Sequence, residues 1–238
     1  MATQSIATQA PARRRQAGWL VPAGLIFVSL IPVIFGSLRM AELTGGAPVT
    51  PANARFFASP IPVMVHIPAA ILYSLLGAFQ FVPGLRRGRS GRTAWHRAAG
   101  VVLIPAGLLV ALSGLWMAAF YDLPQGDGPA LFILRLIFGT AMLASIILGV
   151  RALARRRYQH HGAWMTRAYA IGIAAGTQAL VSIPWMVLAG QPGEAGRALL
   201  MGAGWVINVA VAEYAIRRRR LGAAPAAPRR PQQMRQQR

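Results

Sequence analysis

The sequence predicts an all-α fold, a polytopic membrane bundle of about six transmembrane helices. Hydrophobic residues make up 55% of the 238 positions and charged residues only 13%, which is too apolar for a soluble domain with a charged surface. Six apolar stretches also reach or approach the ~20 residues that a helix needs to cross the hydrocarbon layer. The expected partner of the chain is therefore the lipid bilayer.

The six predicted helices are separated by short polar segments, and they cover residues 18–38, 61–83, 98–120, 129–150, 164–189 and 196–216. The first follows three arginines as a signal peptide would, but its apolar core is too long, so we predict a retained helix. Five prolines lie inside the helices: Pro22, Pro32, Pro68, Pro105 and Pro184. Membrane helices tolerate proline because neighbouring helices satisfy the freed backbone groups, so these positions predict kinks rather than breaks.

The basic residues predict the orientation of the chain. All 25 are arginine, and with 5 acidic residues they give a net charge of +20, which in a soluble protein would suggest nucleic acid. A cytoplasmic N-terminus places 20 arginines in cytoplasmic segments, as the positive-inside rule requires. Only Arg39, Arg55 and Arg197 fall on the other side. We therefore expect both termini in the cytoplasm and no nucleic-acid partner.

Both ends of the chain differ from its middle. Residues 1–17 and 217–238 have too little apolar surface to fold alone, so we predict disordered cytoplasmic tails around a transmembrane domain at 18–216. The chain has no cysteine, and it lacks the common zinc-protease, phosphate-loop and nucleophile-elbow motifs. The sequence therefore predicts no metal site and leaves open whether the protein is an enzyme.

Three histidines are the candidate cofactor ligands. His96 and His161 stand at the cytoplasmic ends of the third and fifth predicted helices, and paired histidines that face each other across a bundle can bind haem b. His66 lies near the opposite face of a hydrocarbon core ~30 Å thick, so it cannot join that pair. In the alternative interpretation, His96 and His161 are interfacial residues that hydrogen-bond to loops near the lipid phosphates.

Three charged residues inside predicted helices are further candidates, because charge is costly in the membrane. Arg135 lies about as deep as His66 on the same side, so the two could line a polar cavity or hold an anionic group. Alternatively, Arg135 simply extends to the lipid head groups. Arg167 and Glu213 lie at matching depth near the cytoplasmic side, which favours an ion pair that locks two helices together over proton transfer.

Three motifs resemble a known family: the segment from His66 to Gly77-Ala78-Phe79-Gln80-Phe81, the segment His96-Arg97-Ala98-Ala99-Gly100, and the segment His161-x-x-Trp164-Met165-x-Arg167-Ala168-Tyr169-Ala170. Over about residues 60–180, the chain is similar to bacterial multi-pass proteins known as domain of unknown function 2306. The resemblance implies a multi-pass protein of the bacterial cytoplasmic membrane without an assigned activity. The family often has an arginine where this chain has Gln178, so a second buried cation is not expected there.

Three functional hypotheses follow from these residues. The first is a membrane redox protein that binds haem b or a quinone through the helix-end histidines. The second is a small-solute transporter or sensor, in which His66 and Arg135 line an outer cavity and the inner ion pair acts as a gate. The third is a non-catalytic subunit or scaffold that packs against other membrane subunits through the GxxxG pair Gly172 and Gly176, which allows close helix contact.

Overall fold

A computed structural model describes residues 12–82 and 91–222 of the chain. The described part is helical and contains no strand, and its helices are α1 (Ala12–Thr44), α2 (Ala54–Ala58), α3 (Pro60–Phe79), α4 (Gly91–Phe120), α5 (Pro129–Ala154), α6 (Tyr158–Gly172), α7 (Ala174–Ala189) and α8 (Glu194–Gly222). Five of them, α1, α3, α4, α5 and α8, are long and apolar enough to span a membrane. The helices α6 and α7 together form a sixth span that is bent by 41°. The predicted all-α membrane fold is confirmed.

The first and last helices extend further than the apolar stretches that predict them, whereas α3 ends at Phe79, before the predicted limit at residue 83. Helix α1 already begins at Ala12, and α8 continues to Gly222, so both reach into the segments predicted as tails. Residues 1–11 and 223–238, where the rest of the tail prediction falls, lie outside the described residues. A helix is defined by its backbone hydrogen bonds, so it does not have to end where the apolar side chains end.

The fifth span breaks at Ile173, and not at its proline. Helices α1, α3, α4 and α7 all run through their internal prolines, whereas the break separates Gly172 from Ala174. The last carbonyl groups of a helix lack partners within it. Here Asn208 on α8 donates from Nδ2 to the Ala170 carbonyl over 2.9 Å, so a side chain from a neighbouring helix stabilises the break.

Helix α6 lies at the centre of the bundle. It packs against α3, α4, α5 and α8. The other long helices form a ring in which each contacts the next, in the order α1, α3, α4, α5, α8 and α7. Its buried positions include Ala163, Thr166, Ala168 and Ala170, small residues that let neighbouring backbones approach closely in a bilayer. The side chains of α6 therefore contact several other helices.

The two glycines of the GxxxG pair face different helices of the same chain, because the break falls between them. A Cβ added at Gly172 would lie 2.9 Å from the Tyr73 ring on α3, and one at Gly176 would lie 1.9 Å from the Val28 carbonyl oxygen on α1. The face predicted to pack against another subunit is thus already occupied by α1 and α3.

The bundle has two distinct ends. We call the end where α4 and α6 begin and where α3 and α8 finish the basic end, since it carries Arg97, Arg219 and Arg220 around one opening. The opposite end, where α3, α5 and α8 begin, carries the loop at residues 45–59 and the short helix α2.

Candidate functional site

A cavity of about 950 Å³ lies between α3, α4, α6 and α8 at the basic end. Apolar side chains such as Leu103, Ile104 and Met165 form its walls. Its polar groups are Tyr73, Gln80, His96, Arg97, Tyr158, Gln159, His161, Thr166, Tyr169, Arg219 and Arg220. A largely apolar pocket of this size with a few convergent polar groups is typical of a site for a small molecule or cofactor.

The structure brings His96 and His161 to this one cavity. The Nδ1 atom of His161 lies 2.9 Å from the Gly149 carbonyl oxygen on α5, so Nδ1 carries the proton and donates it. Gly149 has no side chain, and a Cβ there would lie 2.7 Å from the sulfur of Met165, so this glycine leaves room for the side chains of α6 against the α5 backbone. In the neutral tautomer that carries its proton on Nδ1, Nε2 of His161 is a lone-pair donor or hydrogen-bond acceptor.

Open space lies next to both histidines. Gly100 is one helical turn after His96 and lines the cavity, and Gly162 follows His161. A Cβ added at either glycine would meet no atom within 4 Å. Glycine leaves the helix backbone bare at these positions, so a flat group bound by the histidines can approach it closely.

Aromatic residues form the deep part of the cavity. The Tyr73 ring is wedged between Gly107 on α4 and Gly172 on α6, where an added Cβ would lie 2.7 and 2.9 Å from it. The Tyr169 ring lies 5.7 Å from the Tyr73 ring between centroids, and its hydroxyl donates to the Ser74 carbonyl over 2.7 Å. The Tyr169 hydroxyl thus already has a hydrogen-bond partner within the protein.

Two buried polar atoms of the cavity lack such a partner. Among the described residues, neither the Tyr73 hydroxyl nor Oε1 of Gln80 forms a hydrogen bond, although Tyr73 is only 3% exposed. The Gln80 amide donates from Nε2 towards the His96 carbonyl at 3.5 Å. A buried polar group without a hydrogen bond costs about 1–3 kcal/mol. Both atoms therefore favour a ligand or water molecule inside the cavity.

The mouth of the cavity is strongly basic. Arg97, Arg219 and Arg220 line it with exposed side chains, and the Arg219 guanidinium lies 5.9 Å from the centroid of the Phe81 ring. Guanidinium groups bind carboxylates and phosphates through paired N–H donors. The mouth is thus suited to the anionic part of a ligand whose apolar part lies deeper.

The predicted ion pair between Arg167 and Glu213 is present beside the cavity. Nε and one terminal nitrogen of Arg167 donate to the two carboxylate oxygens of Glu213 over 2.5 and 3.0 Å. The Arg167 guanidinium also lies 4.5 Å from the centroid of the Trp164 ring. This two-pronged pair joins α6 to α8, which agrees with a structural role.

His66 and Arg135, the two residues expected to line a polar cavity or hold an anionic group, have separate partners in the structure. Nδ1 of His66 lies 2.9 Å from the Ser113 hydroxyl on α4, near the start of α3 and away from the cavity of the basic end. Arg135 forms an ion pair with Asp127 over 2.6 Å, and Arg197 binds the same carboxylate over 2.5 Å. The anionic partner of Arg135 is thus a carboxylate of the protein itself.

Sequence reasoning missed Tyr73 and Asp127. Tyr73 lies in an apolar stretch, where a tyrosine suggests core packing. Asp127 stands in a loop, where an acidic residue is usually expected to face solvent. Its short separation of eight residues from Arg135 could have indicated an ion pair between the two. Within the described part of the chain, no group of three or more His, Asp or Glu side chains could hold a metal ion.

The comparisons with known proteins agree with the motifs. No curated protein and no solved structure matches the chain. One family model, described as predicted membrane protein (DUF2306), matches residues 63–216. The match covers every side chain of the cavity up to Ile216, and it extends past the expected limit near residue 180 to include most of α8. This chain belongs to the DUF2306 family of membrane proteins.

Proposed function

We propose that the protein is a membrane redox protein that binds haem b in the cavity of the basic end, where His96 and His161 would hold the iron. One observation carries the proposal: histidines from two contacting helices line a single cavity. Haem iron bound by two histidines carries one electron at a time between its ferric and ferrous forms.

Several features of the chain support the fit of haem. Histidines that bind a metal almost always donate their second ring nitrogen to a backbone carbonyl or carboxylate, as His161 does to Gly149. Gly100 leaves open space beside His96 for a flat ring. The arginines of the mouth can pair with the two carboxylates of haem, and the apolar walls suit its largely apolar ring.

An absorption spectrum of the detergent-purified protein tests the proposal. After expression with adequate haem supply, we expect a Soret band, with sharp α and β bands after reduction by dithionite. His96→Ala and His161→Ala should each remove most of the bound haem. His160→Ala is the matched control, since His160 is exposed and does not line the cavity, and it should keep the wild-type spectrum. A colourless wild-type protein would refute haem binding.

A second candidate ligand is the ring of a lipid-soluble quinone or hydroquinone. The unpartnered Tyr73 hydroxyl and Gln80 Oε1 favour it, because a hydroquinone can accept a hydrogen bond from the first and donate one to the second. Tyr73 lies on α3, and Gln80 directly follows the end of this helix. Their separation of seven positions corresponds to about 10 Å along the helix axis, which suits a molecule with oxygens on opposite edges of a ring.

Quinone binding is measurable without haem. Quenching of tryptophan fluorescence by a short-chain quinone should give saturable binding that weakens several-fold in Tyr73→Phe. Tyr214→Phe is the control, because Tyr214 is 64% exposed and lies outside the cavity. Equal binding in both variants and in the wild type would exclude Tyr73 as a ligand contact.

A further inference from the structure

The opposite end of the bundle carries a second cluster of charged residues, unrelated to the cavity. Phe56 on α2 lies at its centre. The guanidinium groups of Arg39 and Arg55 lie 4.7 and 4.5 Å from the centroid of the Phe56 ring, and Tyr121 contacts the same ring edge-on at 5.5 Å. Cation–π contact with one ring therefore holds two arginines from different helices close to each other.

Most charges of this cluster are neutralised within the protein. Arg39 forms an ion pair with Glu42, whose other carboxylate oxygen accepts a hydrogen bond from Asn53 over 2.5 Å. The Asp127 carboxylate, with 0% of its side chain exposed, already binds two arginines of α5 and α8. Both carboxylates are thus already paired with other arginines.

Arg55 is the exception. Among the described residues, no carboxylate lies within ion-pair distance of it. Burial and the neighbouring Arg39 lower the pKa of Arg55, and the Asp127 carboxylate offsets only part of this effect, since Arg135 and Arg197 add further positive charge. A half-buried guanidinium surrounded by other guanidiniums is costly unless an anion binds to it.

We propose that Arg55, supported by Arg39, binds a phosphate group at this end of the bundle. The planar guanidinium fork matches two phosphate oxygens, and the Phe56 ring fixes the orientation of both side chains. Arg55 stands outside the spans, next to the start of α3, and Arg39 is near the end of the first span, where a lipid head group or a soluble phosphate can reach both. This inference does not depend on haem or quinone binding.

Native mass spectrometry of the full chain can test the site with defined lipids. The titration compares phosphatidylglycerol with diacylglycerol, which has the same chains without phosphate. We expect Arg55→Gln to weaken phosphatidylglycerol binding about tenfold, the equivalent of one charge-assisted hydrogen bond, and to leave diacylglycerol binding unchanged. Arg55→Lys keeps the positive charge and loses the paired N–H donors of the guanidinium, so its affinity for phosphatidylglycerol should fall between those of the wild type and Arg55→Gln. Arg151→Gln, an exposed arginine of the basic end, is the matched control.

A parallel arm uses inorganic phosphate and thermal unfolding in detergent. Stabilisation of the wild type by phosphate that is absent in Arg55→Gln would identify a soluble phosphate as the ligand. A lipid effect without a phosphate effect would identify the head group. Equal loss of phosphatidylglycerol in Arg55→Gln and Arg151→Gln would show generic attraction and overturn the proposal, as would the absence of both effects. If Arg55→Gln fails to fold, the comparison of Arg55→Lys with the wild type decides.

Discussion

Replacing Asp127 with asparagine should destabilise the bundle more than any other single charge change at the end opposite the cavity. The substitution keeps the shape of the side chain and removes its charge, so two ion pairs to Arg135 and Arg197 are lost together. Removing one partner of a buried ion pair costs about 3–5 kcal/mol, because the remaining charge is left without compensation. The arginine side chains are 25% and 38% exposed and keep part of their solvation, which favours the lower limit, about 3 kcal/mol in total.

Thermal unfolding in detergent, followed by circular dichroism, measures this loss. For a chain of this size, ~3 kcal/mol corresponds to a decrease in Tm of roughly 6–12 °C. Asp122→Asn is the matched control because Asp122 lies in the same loop and is exposed, so its Tm should stay within about 2 °C of the wild type.

A double-mutant cycle with Arg135→Gln separates the ion pair from other effects of the substitution. If the pair carries the stability, the second change should cost much less in the Asp127→Asn background than alone. Additive losses, or a decrease in Tm below about 2 °C for Asp127→Asn, would refute the reasoning.

Two further changes test contacts between helices in the same unfolding assay. Glu213→Gln leaves Arg167 without a counter-charge inside the bundle and should cost about 2 kcal/mol, whereas adding Arg167→Gln should restore part of the loss; strict additivity would contradict the ion pair. Gly176→Ala places a Cβ 1.9 Å from the Val28 carbonyl oxygen and should cost about 1–3 kcal/mol as α1 and α7 separate. Gly24→Ala, which meets no atom within 4 Å, should change stability by less than about 0.5 kcal/mol, and equal effects of the two would argue against close packing at Gly176.

The membrane fold could be predicted because the bilayer imposes a simple rule on length and hydrophobicity. The fifth span shows the limit of that rule. Its first turns, from Tyr158 to Gly162, are too polar to register as a span, so the prediction began at 164, six residues after the helix begins. The break at Ile173 was also missed, since averaged hydropathy carries no information on the backbone. Gly172 is the local signal that the sequence offers there.

The candidate site could be predicted in part. The predicted topology places His96 and His161 on the same side of the membrane, and this was the only indication of a shared site. Among the remaining cavity groups, Tyr73 comes from α3, and whether it faces lipid or the interior depends on the rotation of that helix against its neighbours. Nothing local in the sequence determines this rotation. It depends on the glycines of α4 and α6 that receive the tyrosine ring.

The ion pair between Arg167 and Glu213 has a consequence for the synthesis of the protein. Its two halves are 46 residues apart, so at ~5–20 residues per second the arginine is made roughly 2–9 seconds before its partner. During that interval α6, which carries two histidines and an arginine, has little tendency to enter lipid by itself. We therefore expect the insertion machinery to hold the central helix until α8 emerges, so that α6 and α8 leave the translocon for the membrane together.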